Sequence, residues 1–122
     1  MKTRNLFAVV IAAAALVLSA CSSNSADSPL SPENNQGTVV IDVRTPEEFN
    51  SGHVEGALNI SVEDPNFQNL IATLDPNADY LVYCRSGNRS AVAIDIMQSV
   101  GFTSLLDGGA FTSMQSLGWP TA

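Results

Sequence analysis

The sequence predicts a single α/β domain with a mostly parallel central sheet flanked by helices. From Thr38 onward, short apolar runs alternate with helical patterns, and this alternation is typical of strand–helix units built on a parallel sheet. The run over residues 39–43 has the nearly continuous apolar character of a strand buried on both faces. The 102 residues from Cys21 onward suffice for one domain and no more.

The first half of the domain is predicted to contain three strands and two helices. The first strand covers residues 39–43, and Thr45 then caps a short helix that starts at Pro46 with acidic residues in its first turn. A second strand is expected over 57–60. A helix over 64–74 should end before the turn residues Asp75-Pro76-Asn77. The central strand, 80–83, leads directly into Cys84.

The second half is predicted to add a helix, a strand and a final helical turn. Apolar residues recur at i, i+3, i+4 and i+7, which defines one buried helix face ending at Gly101: Ala93, Ile96, Met97 and Val100. A last strand over 104–106 precedes Asp107-Gly108-Gly109 and a helical turn that runs to Gly118. Ligands of parallel sheets lie beyond the carboxyl ends of the strands, where Cys84 is expected.

The first twenty residues are predicted to be an export signal. Lys2 and Arg4 precede an apolar core over residues 6–18, which is too short for a bilayer span of about twenty apolar residues. The sequence Leu18-Ser19-Ala20-Cys21 resembles the lipobox of bacterial lipoproteins, in which the cysteine is acylated and becomes the new N-terminus. An ordinary secretory signal is the alternative, since the residues before Cys21 also fit a small-residue cleavage site.

Export then implies a location in the cell envelope, with the protein anchored to a membrane through lipid on Cys21. Acyl chains would hold it at the membrane surface without spanning the bilayer. Residues 21–37 are polar and rich in Ser, Asn and Pro, so they are predicted to form a flexible tether to a domain over 38–122.

The charge of the exported chain limits its partners. Loss of Lys2 and Arg4 leaves twelve acidic residues against three arginines, a net charge of −9 with His53 neutral. This acidic balance argues against nucleic acid and anionic lipid headgroups as partners of the domain surface.

The loop after Cys84 carries the clearest chemical signal. Arg85 and Arg89 lie within six residues of the thiol, between a strand and a helix. Nearby positive charge and a helix N-terminus favour the thiolate, which is the nucleophilic form of cysteine. A buried structural cysteine is the alternative, but flanking arginines do not suit an inert apolar site. If Cys21 carries lipid, Cys84 has no disulfide partner in the chain.

Four segments together resemble the rhodanese family, in its single-domain sulfurtransferase form. They cover residues 38–120 in the order of the family, and a lone Cys-x-x-Gly would be far weaker: Asp42-Val43-Arg44 with Pro46-Glu47-Glu48-Phe49, Gly52-His53-Val54-Glu55-Gly56-Ala57-Leu58-Asn59-Ile60, Tyr83-Cys84-Arg85-Ser86-Gly87-Asn88-Arg89-Ser90, and Leu106-Asp107-Gly108-Gly109 with Trp119-Pro120.

This resemblance implies a rhodanese-like domain in which Cys84 takes sulfur from a donor such as thiosulfate, becomes a persulfide and passes the sulfur to a thiol or cyanide. The substrate-binding residues are expected in the loop, with its N–H groups cradling the anion and its arginines binding the sulfonate: Arg85, Ser86, Gly87, Asn88, Arg89 and Ser90. No cofactor is implied, and no second His or Cys is present in the domain to build a metal site.

Three further residues are expected near the site in structural roles. Asp42 and Arg44 are expected to form an ion pair that ties the first strand to the rest of the fold, although both could reach the site. His53 is the only histidine, so a general-base role is an alternative to the packing role that the resemblance implies.

Other functions are compatible with parts of the same loop. A persulfide carrier or sensor would use the same residues but load once, without turnover. A rhodanese-fold phosphatase or arsenate reductase is disfavoured, because such phosphatases have five residues between the Cys and the Arg, whereas four separate Cys84 from Arg89. A thiol–disulfide oxidoreductase would need a second cysteine that the loop lacks.

Overall fold

The sheet consists of four parallel strands. A computed structural model describes residues 28–122, with strands β1 (Val39–Asp42), β2 (Leu58–Asn59), β3 (Tyr80–Cys84) and β4 (Leu105–Ala110). The strands lie in the order β2-β1-β3-β4, and every neighbouring pair is parallel. The predicted α/β class with a mostly parallel sheet is confirmed.

Within residues 28–122, four α-helices flank the sheet, and each follows a strand. They are α1 (Pro46–Asn50), α2 (Phe67–Ile71), α3 (Asn88–Ser99) and α4 (Phe111–Ser116). In α1 the predicted cap is present, since Thr45 and Glu48 form a reciprocal capping box and Pro46 occupies the first turn. The sheet therefore has α1 and α3 positioned at the carboxyl ends of β1 and β3.

The core has two parts because neighbouring strand residues point to opposite faces of the sheet. On one face Ile41 and Val82 pack with residues of α2 and α3, including Ile71 and Met97. On the other face a smaller cluster packs around α4, and it comprises Val40, Val54, Leu81, Tyr83 and Met114. β1 is therefore covered on both sides, as its sequence predicts, and β3 is covered on both sides as well.

Helix α2 is shorter than the predicted helix over 64–74. The Asp64 carboxylate accepts a hydrogen bond from the N–H of Asn66 at 2.8 Å, so the segment begins as a turn and the helix starts only at Phe67. The buried face predicted for α3 also includes a residue that is exposed in the structure. Ala93 and Met97 are fully buried, but Val100 is 48 % exposed.

Strand β4 is longer than the predicted strand over 104–106. It continues through Asp107-Gly108-Gly109 to Ala110, with a shift of register that pairs Val82 with Asp107 and Tyr83 with Gly109. Gly108 and Gly109, which the prediction places after the strand, belong to it and lie at a β-bulge.

Part of the predicted tether packs against the domain. Residues 32–35 form a 3₁₀ helix, Ser31 and Asn35 are buried, and the Nε1–H of Trp119 donates to the Leu30 carbonyl oxygen at 2.8 Å. Residues 28–37 thus differ from the flexible segment predicted over 21–37, because their polar groups find hydrogen-bond partners within the fold.

The remaining predictions for the N-terminal part fall outside the described residues: the signal peptide over 1–20, lipidation of Cys21, and residues 21–27 of the tether. Within residues 28–122, no helix combines the length and the apolar character that crossing a bilayer requires.

Candidate active site

Cys84 is the last residue of β3, at the carboxyl edge of the sheet. Its side chain belongs to the core on the α3 side and is fully shielded from solvent. The chain then turns through Arg85 and Ser86 to Gly87, which has the left-handed φ of +99° and directly precedes α3. This φ disfavours any residue with a Cβ atom, so Gly87 allows the loop to fold back over the sulfur.

Hydrogen bonds directed at the sulfur set its acidity. The N–H of Gly87 donates to the Cys84 Sγ, with 2.9 Å between N and Sγ. Burial alone would raise the pKa of the thiol, but hydrogen bonds from the backbone and hydroxyl of Ser90 and from the N–H groups of Gly87 and Ser86 outweigh it. The pKa of Cys84 therefore lies below the usual cysteine value, and the thiolate is favoured.

The hydroxyl of Ser90 links the loop to β4. Its oxygen lies 2.9 Å from the Gly87 carbonyl oxygen and 2.8 Å from Asp107 Oδ1. Because a hydroxyl has one hydrogen, these two oxygens compete with the Cys84 sulfur for it. Asp107 also accepts the N–H of Gly109 at 2.9 Å, which fixes the carboxylate beside the loop. The sequence gives no role to Asp107, because its contact with Ser90 depends on the pairing of β3 with β4.

Arg89 forms an ion pair with Glu48. Its two terminal nitrogens lie 2.7 and 2.9 Å from the two carboxylate oxygens, and this hydrogen-bonded guanidinium lowers the pKa of Glu48 to about 2. Glu48 is also held by Thr45 through the capping box of α1. The pair therefore joins α1 to α3, and the expected role of Arg89 in donor binding stays a prediction.

Arg85 differs from the other two arginines of residues 28–122. Arg44 pairs with Asp42 and Arg89 with Glu48, whereas Arg85 is exposed and forms no ion pair within that range. Ser86 and Asn88 are exposed as well. The loop thus presents one uncompensated guanidinium next to the nucleophile.

Asp42 and Arg44 form the expected ion pair, and both are buried. Two nitrogens of the Arg44 guanidinium, Nε and Nη2, donate to the Asp42 carboxylate, and Nη2 also donates to the Gly52 carbonyl at 2.6 Å. The Tyr83 hydroxyl donates to Asp42 Oδ2 at 2.7 Å and accepts the N–H of Val54 at 3.0 Å. This network ties β1, β3 and the 52–54 segment together.

His53 lies at the side of this network. Its Nδ1 is 2.8 Å from the Phe49 carbonyl oxygen, and its ring stacks on the Phe49 ring with 3.7 Å between centroids. Its backbone exchanges hydrogen bonds with Ala122. These contacts are those of a packing residue, and none of them joins His53 to Cys84.

Known proteins with similar sequences place this arrangement in a family. A family model described as Rhodanese-like domain matches residues 25–112. The chain is 36 % identical over 69 residues to the thiosulfate sulfurtransferase PspE of Escherichia coli, a match that covers 57 % of this chain and 66 % of that one. It is 37 % identical over 76 residues to the thiosulfate sulfurtransferase GlpE of Pseudomonas fluorescens, covering 61 % and 68 %.

Solved structures agree on the fold. A structure described as rhodanese with anions from E. coli superposes with a TM-score of 0.60 at 30 % identity, over 70 % of this chain and 96 % of that chain. The match to PspE spans just under two thirds of that protein.

Proposed function

Because the chain belongs to the rhodanese-like domain family, we propose that it is a sulfurtransferase that carries sulfane sulfur on Cys84. Two relatives named thiosulfate sulfurtransferases support the reaction type. The observation that carries the proposal is the set of loop hydrogen-bond donors directed at the Cys84 sulfur, which favours a thiolate.

In the first step the thiolate attacks the outer sulfur of a donor such as thiosulfate. A bond forms between Cys84 Sγ and that sulfur, the sulfur–sulfur bond of the donor breaks, and sulfite leaves with the bonding electron pair. Cys84 then carries a persulfide anion. Since the thiolate and the persulfide are both anionic, the N–H groups of Ser86, Gly87 and Ser90 that surround the sulfur favour both states.

Arg85 is the cation that we assign to the donor's sulfonate. It is exposed, adjoins Cys84 and is without an ion pair within residues 28–122. A guanidinium donates paired hydrogen bonds to an oxyanion, which suits a sulfonate. Arg89 is occupied by Glu48 at 2.7 Å, so its contribution is to hold α3 and the loop in place.

Access to the nucleophile requires movement of the loop. Cys84 has 0 % of its surface exposed, so the donor's outer sulfur reaches Sγ only when loop residues that cover the thiol shift. Arg85 and Ser86, which follow Cys84 directly, have exposed side chains and are free to do so. A small displacement there opens the sulfur while the hydrogen bonds from α3 stay in place.

In the second step a thiophilic acceptor removes the sulfur. A thiol attacks the outer sulfur of the persulfide, its new sulfur–sulfur bond forms as the bond to Sγ breaks, and Cys84 leaves as the thiolate. The thiol's proton stays with the new persulfide, so charge and atoms balance. The reaction needs no cofactor.

The burial of Cys84 also favours a second candidate, a persulfide carrier or sensor, because a shielded persulfide is protected from adventitious thiols. A phosphatase or arsenate reductase has less support, since the arginine at the end of the loop is bound to Glu48.

Turnover separates an enzyme from a carrier. With thiosulfate and cyanide in excess, we expect repeated formation of thiocyanate per protein, with ping-pong kinetics, and complete loss in Cys84→Ser. A single equivalent of thiocyanate would favour the carrier. Thiocyanate formation by Cys84→Ser at the wild-type rate would refute the proposed nucleophile.

We also propose that the protein is exported and anchored by lipid on Cys21, on the strength of the Leu18-Ser19-Ala20-Cys21 sequence. The expected result is incorporation of labelled palmitate into the wild-type protein in cells and none into Cys21→Ser. Equal labelling of the two, or labelling of neither, would refute lipidation at this residue.

A further inference from the structure

Asp107 lies on the same face of the sheet as Cys84. It pairs with Val82 in the β3–β4 ladder, and directly paired residues of neighbouring strands point to the same face. The Val82 side chain belongs to the core on the α3 side, as does that of Cys84. The Asp107 side chain therefore points towards α3, where its Oδ1 lies 2.8 Å from the Ser90 hydroxyl oxygen.

The β-bulge fixes the Asp107 carboxylate beside the active-site loop. Asp107 Oδ1 also accepts the N–H of Gly109 at 2.9 Å, and both residues lie at the shift of register between β3 and β4. Gly109 lies against the loop, since a Cβ atom on Gly87 would be 3.8 Å from the Gly109 Cα. The bulge thus holds one carboxylate oxygen where it meets the first turn of α3.

The Ser90 hydroxyl has one hydrogen and three acceptors. Ser90 is fully buried, and a buried hydroxyl that directs its hydrogen at no acceptor is destabilised. The acceptors are Asp107 Oδ1, the Gly87 carbonyl oxygen at 2.9 Å and the Cys84 sulfur. The Gly87 oxygen also accepts the N–H of Ala91. Because a carboxylate and a thiolate are charged, they accept a hydrogen bond more strongly than a carbonyl does. The main competitors for the hydrogen are therefore Asp107 and Cys84.

The charge on the Cys84 sulfur differs between the two states of the proposed reaction. In the thiolate the negative charge is on Sγ itself. In the persulfide Sγ is bonded to the transferred sulfur, which carries the charge, so Sγ is a weaker acceptor. Sγ therefore competes strongly with the Asp107 carboxylate in the thiolate and weakly in the persulfide.

We propose that Asp107 is a positioning residue for sulfur transfer, which accepts the Ser90 hydrogen while Cys84 carries the transferred sulfur and releases it to Sγ when that sulfur has left. The O–H bond of Ser90 rotates, and no proton is transferred. By accepting the hydrogen, Asp107 stabilises the persulfide relative to the thiolate and favours loading. This inference rests on the proposed sulfur transfer through Cys84.

The test measures how far loading proceeds at equilibrium. The full chain is incubated with thiosulfate and sulfite at a fixed ratio, at a pH above the pKa of Cys84 in every variant, and intact mass gives the loaded and unloaded fractions. In Asp107→Asn the amide oxygen still accepts the Gly109 N–H, but the acceptor for Ser90 is neutral. We expect the ratio of persulfide to thiolate to fall about 3–10-fold. An unchanged ratio would overturn the proposal.

Asp95→Asn is the matched control for the loss of one negative charge. Asp95 is exposed on α3, and its substitution should leave the ratio close to the wild-type value. An equal fall in both variants would mean that the net charge of the domain sets the extent of loading, and it would overturn the proposal.

A second background separates an effect through the hydroxyl from a direct effect of charge. If Asp107 acts through Ser90, Asp107→Asn should have little effect on the ratio in a protein that already carries Ser90→Ala, because the two residues then have no hydrogen to share. A fall of the same size in that background would overturn the proposal.

The pKa of Cys84 distinguishes failure of this inference from failure of the proposed function, because its measurement requires no sulfur transfer. A weaker competing acceptor leaves the Ser90 hydroxyl to the thiolate, so Asp107→Asn should lower this pKa, followed by thiolate ultraviolet absorbance. The decrease should be much smaller in the Ser90→Ala background. A decrease that depends on Ser90 supports the role of Asp107 even if no persulfide forms. Its absence overturns that role even if sulfur transfer occurs.

Discussion

The acidity of Cys84 depends on the hydrogen-bond donors around its sulfur. The sequence predicts a thiolate from nearby arginines and from loop N–H groups at a helix N-terminus; in the structure Arg89 is bound to Glu48, and the hydrogen-bond donors that stabilise the anion come from Ser90, Gly87 and Ser86. Removing a donor to the thiolate must raise the pKa, because only the charged form loses a hydrogen bond.

Ser90→Ala tests this explanation. We expect the pKa of Cys84, followed by thiolate ultraviolet absorbance after subtraction of the Cys84→Ser signal, to be lower than that of free cysteine in the wild type and to rise in Ser90→Ala. Activity at low pH should fall with it, since less thiolate is present at a given pH.

Ser99→Ala is the matched control for this variant. Ser99 lies on the same helix and donates to the Ile96 carbonyl on the exposed side, away from Cys84. It should leave the pKa of Cys84 unchanged. An unchanged pKa in Ser90→Ala would mean that its hydroxyl serves Asp107 and Gly87 and not the sulfur.

At the scale of elements, the packing of β4 against α4 requires a glycine at position 108. A Cβ atom on Gly108 would lie 2.6 Å from Leu81 Cδ2 and 2.7 Å from Met114 Sδ, both in the core on the α4 side. We expect Gly108→Ala to lower the free energy of unfolding by about 1–3 kcal/mol, as overpacking of a core typically does, measured by urea denaturation.

Gly37→Ala provides the control, because a Cβ atom there meets nothing within 4 Å and φ is not in the left-handed region. Its effect should stay within about 0.5 kcal/mol. If both variants were equally stable, the bulge would have room for a side chain and the packing of α4 on β3 and β4 would be looser than described.

The elements that depend on local patterns could be predicted, and those that depend on distant contacts could not. The capping box of Thr45 and Glu48 lies within one turn of helix, and the loop after Cys84 is a contiguous motif. In contrast, Arg89 meets Glu48, and Tyr83 meets Asp42, across 41 residues each. Neither contact can be predicted from the sequence before the order of the strands in the sheet is known.

The same distinction explains the missed ends of α2 and β4. A turn at Asp64, whose carboxylate accepts the N–H of Asn66, delays the start of α2. A search for helical periodicity does not detect this turn. The predicted last strand stops before Asp107-Gly108-Gly109, yet these residues continue β4 through a bulge in its pairing with β3. The boundaries of both elements are thus set by side-chain contacts that periodicity does not report.

At the scale of the whole molecule, residues 28–37 belong to the folded domain. Leu30 packs against the core on the α4 side and accepts the Trp119 indole hydrogen bond, while Ser31 and Asn35 are buried. A chain that starts at Thr38 should therefore be less stable than one that starts at Ser28, by roughly 1–3 kcal/mol, the scale of one hydrogen bond and a partly buried side chain. Urea denaturation followed by circular dichroism measures the difference.

Trp119→Phe in both chains isolates the contribution of the indole. The substitution should cost stability in the chain from Ser28 and little in the chain from Thr38, because only the first contains Leu30. Identical unfolding midpoints for the two wild-type lengths would mean that residues 28–37 add no stability and behave as part of the tether predicted over 21–37.

The central claim is that Cys84 cycles between thiolate and persulfide. The most direct measurement is the intact mass of the purified protein after thiosulfate and again after cyanide, with Cys84→Ser in parallel. We predict a gain of one sulfur atom that cyanide removes, and no gain in Cys84→Ser. An unchanged mass in the wild type, or an equal gain in the variant, would contradict sulfur transfer from thiosulfate through Cys84.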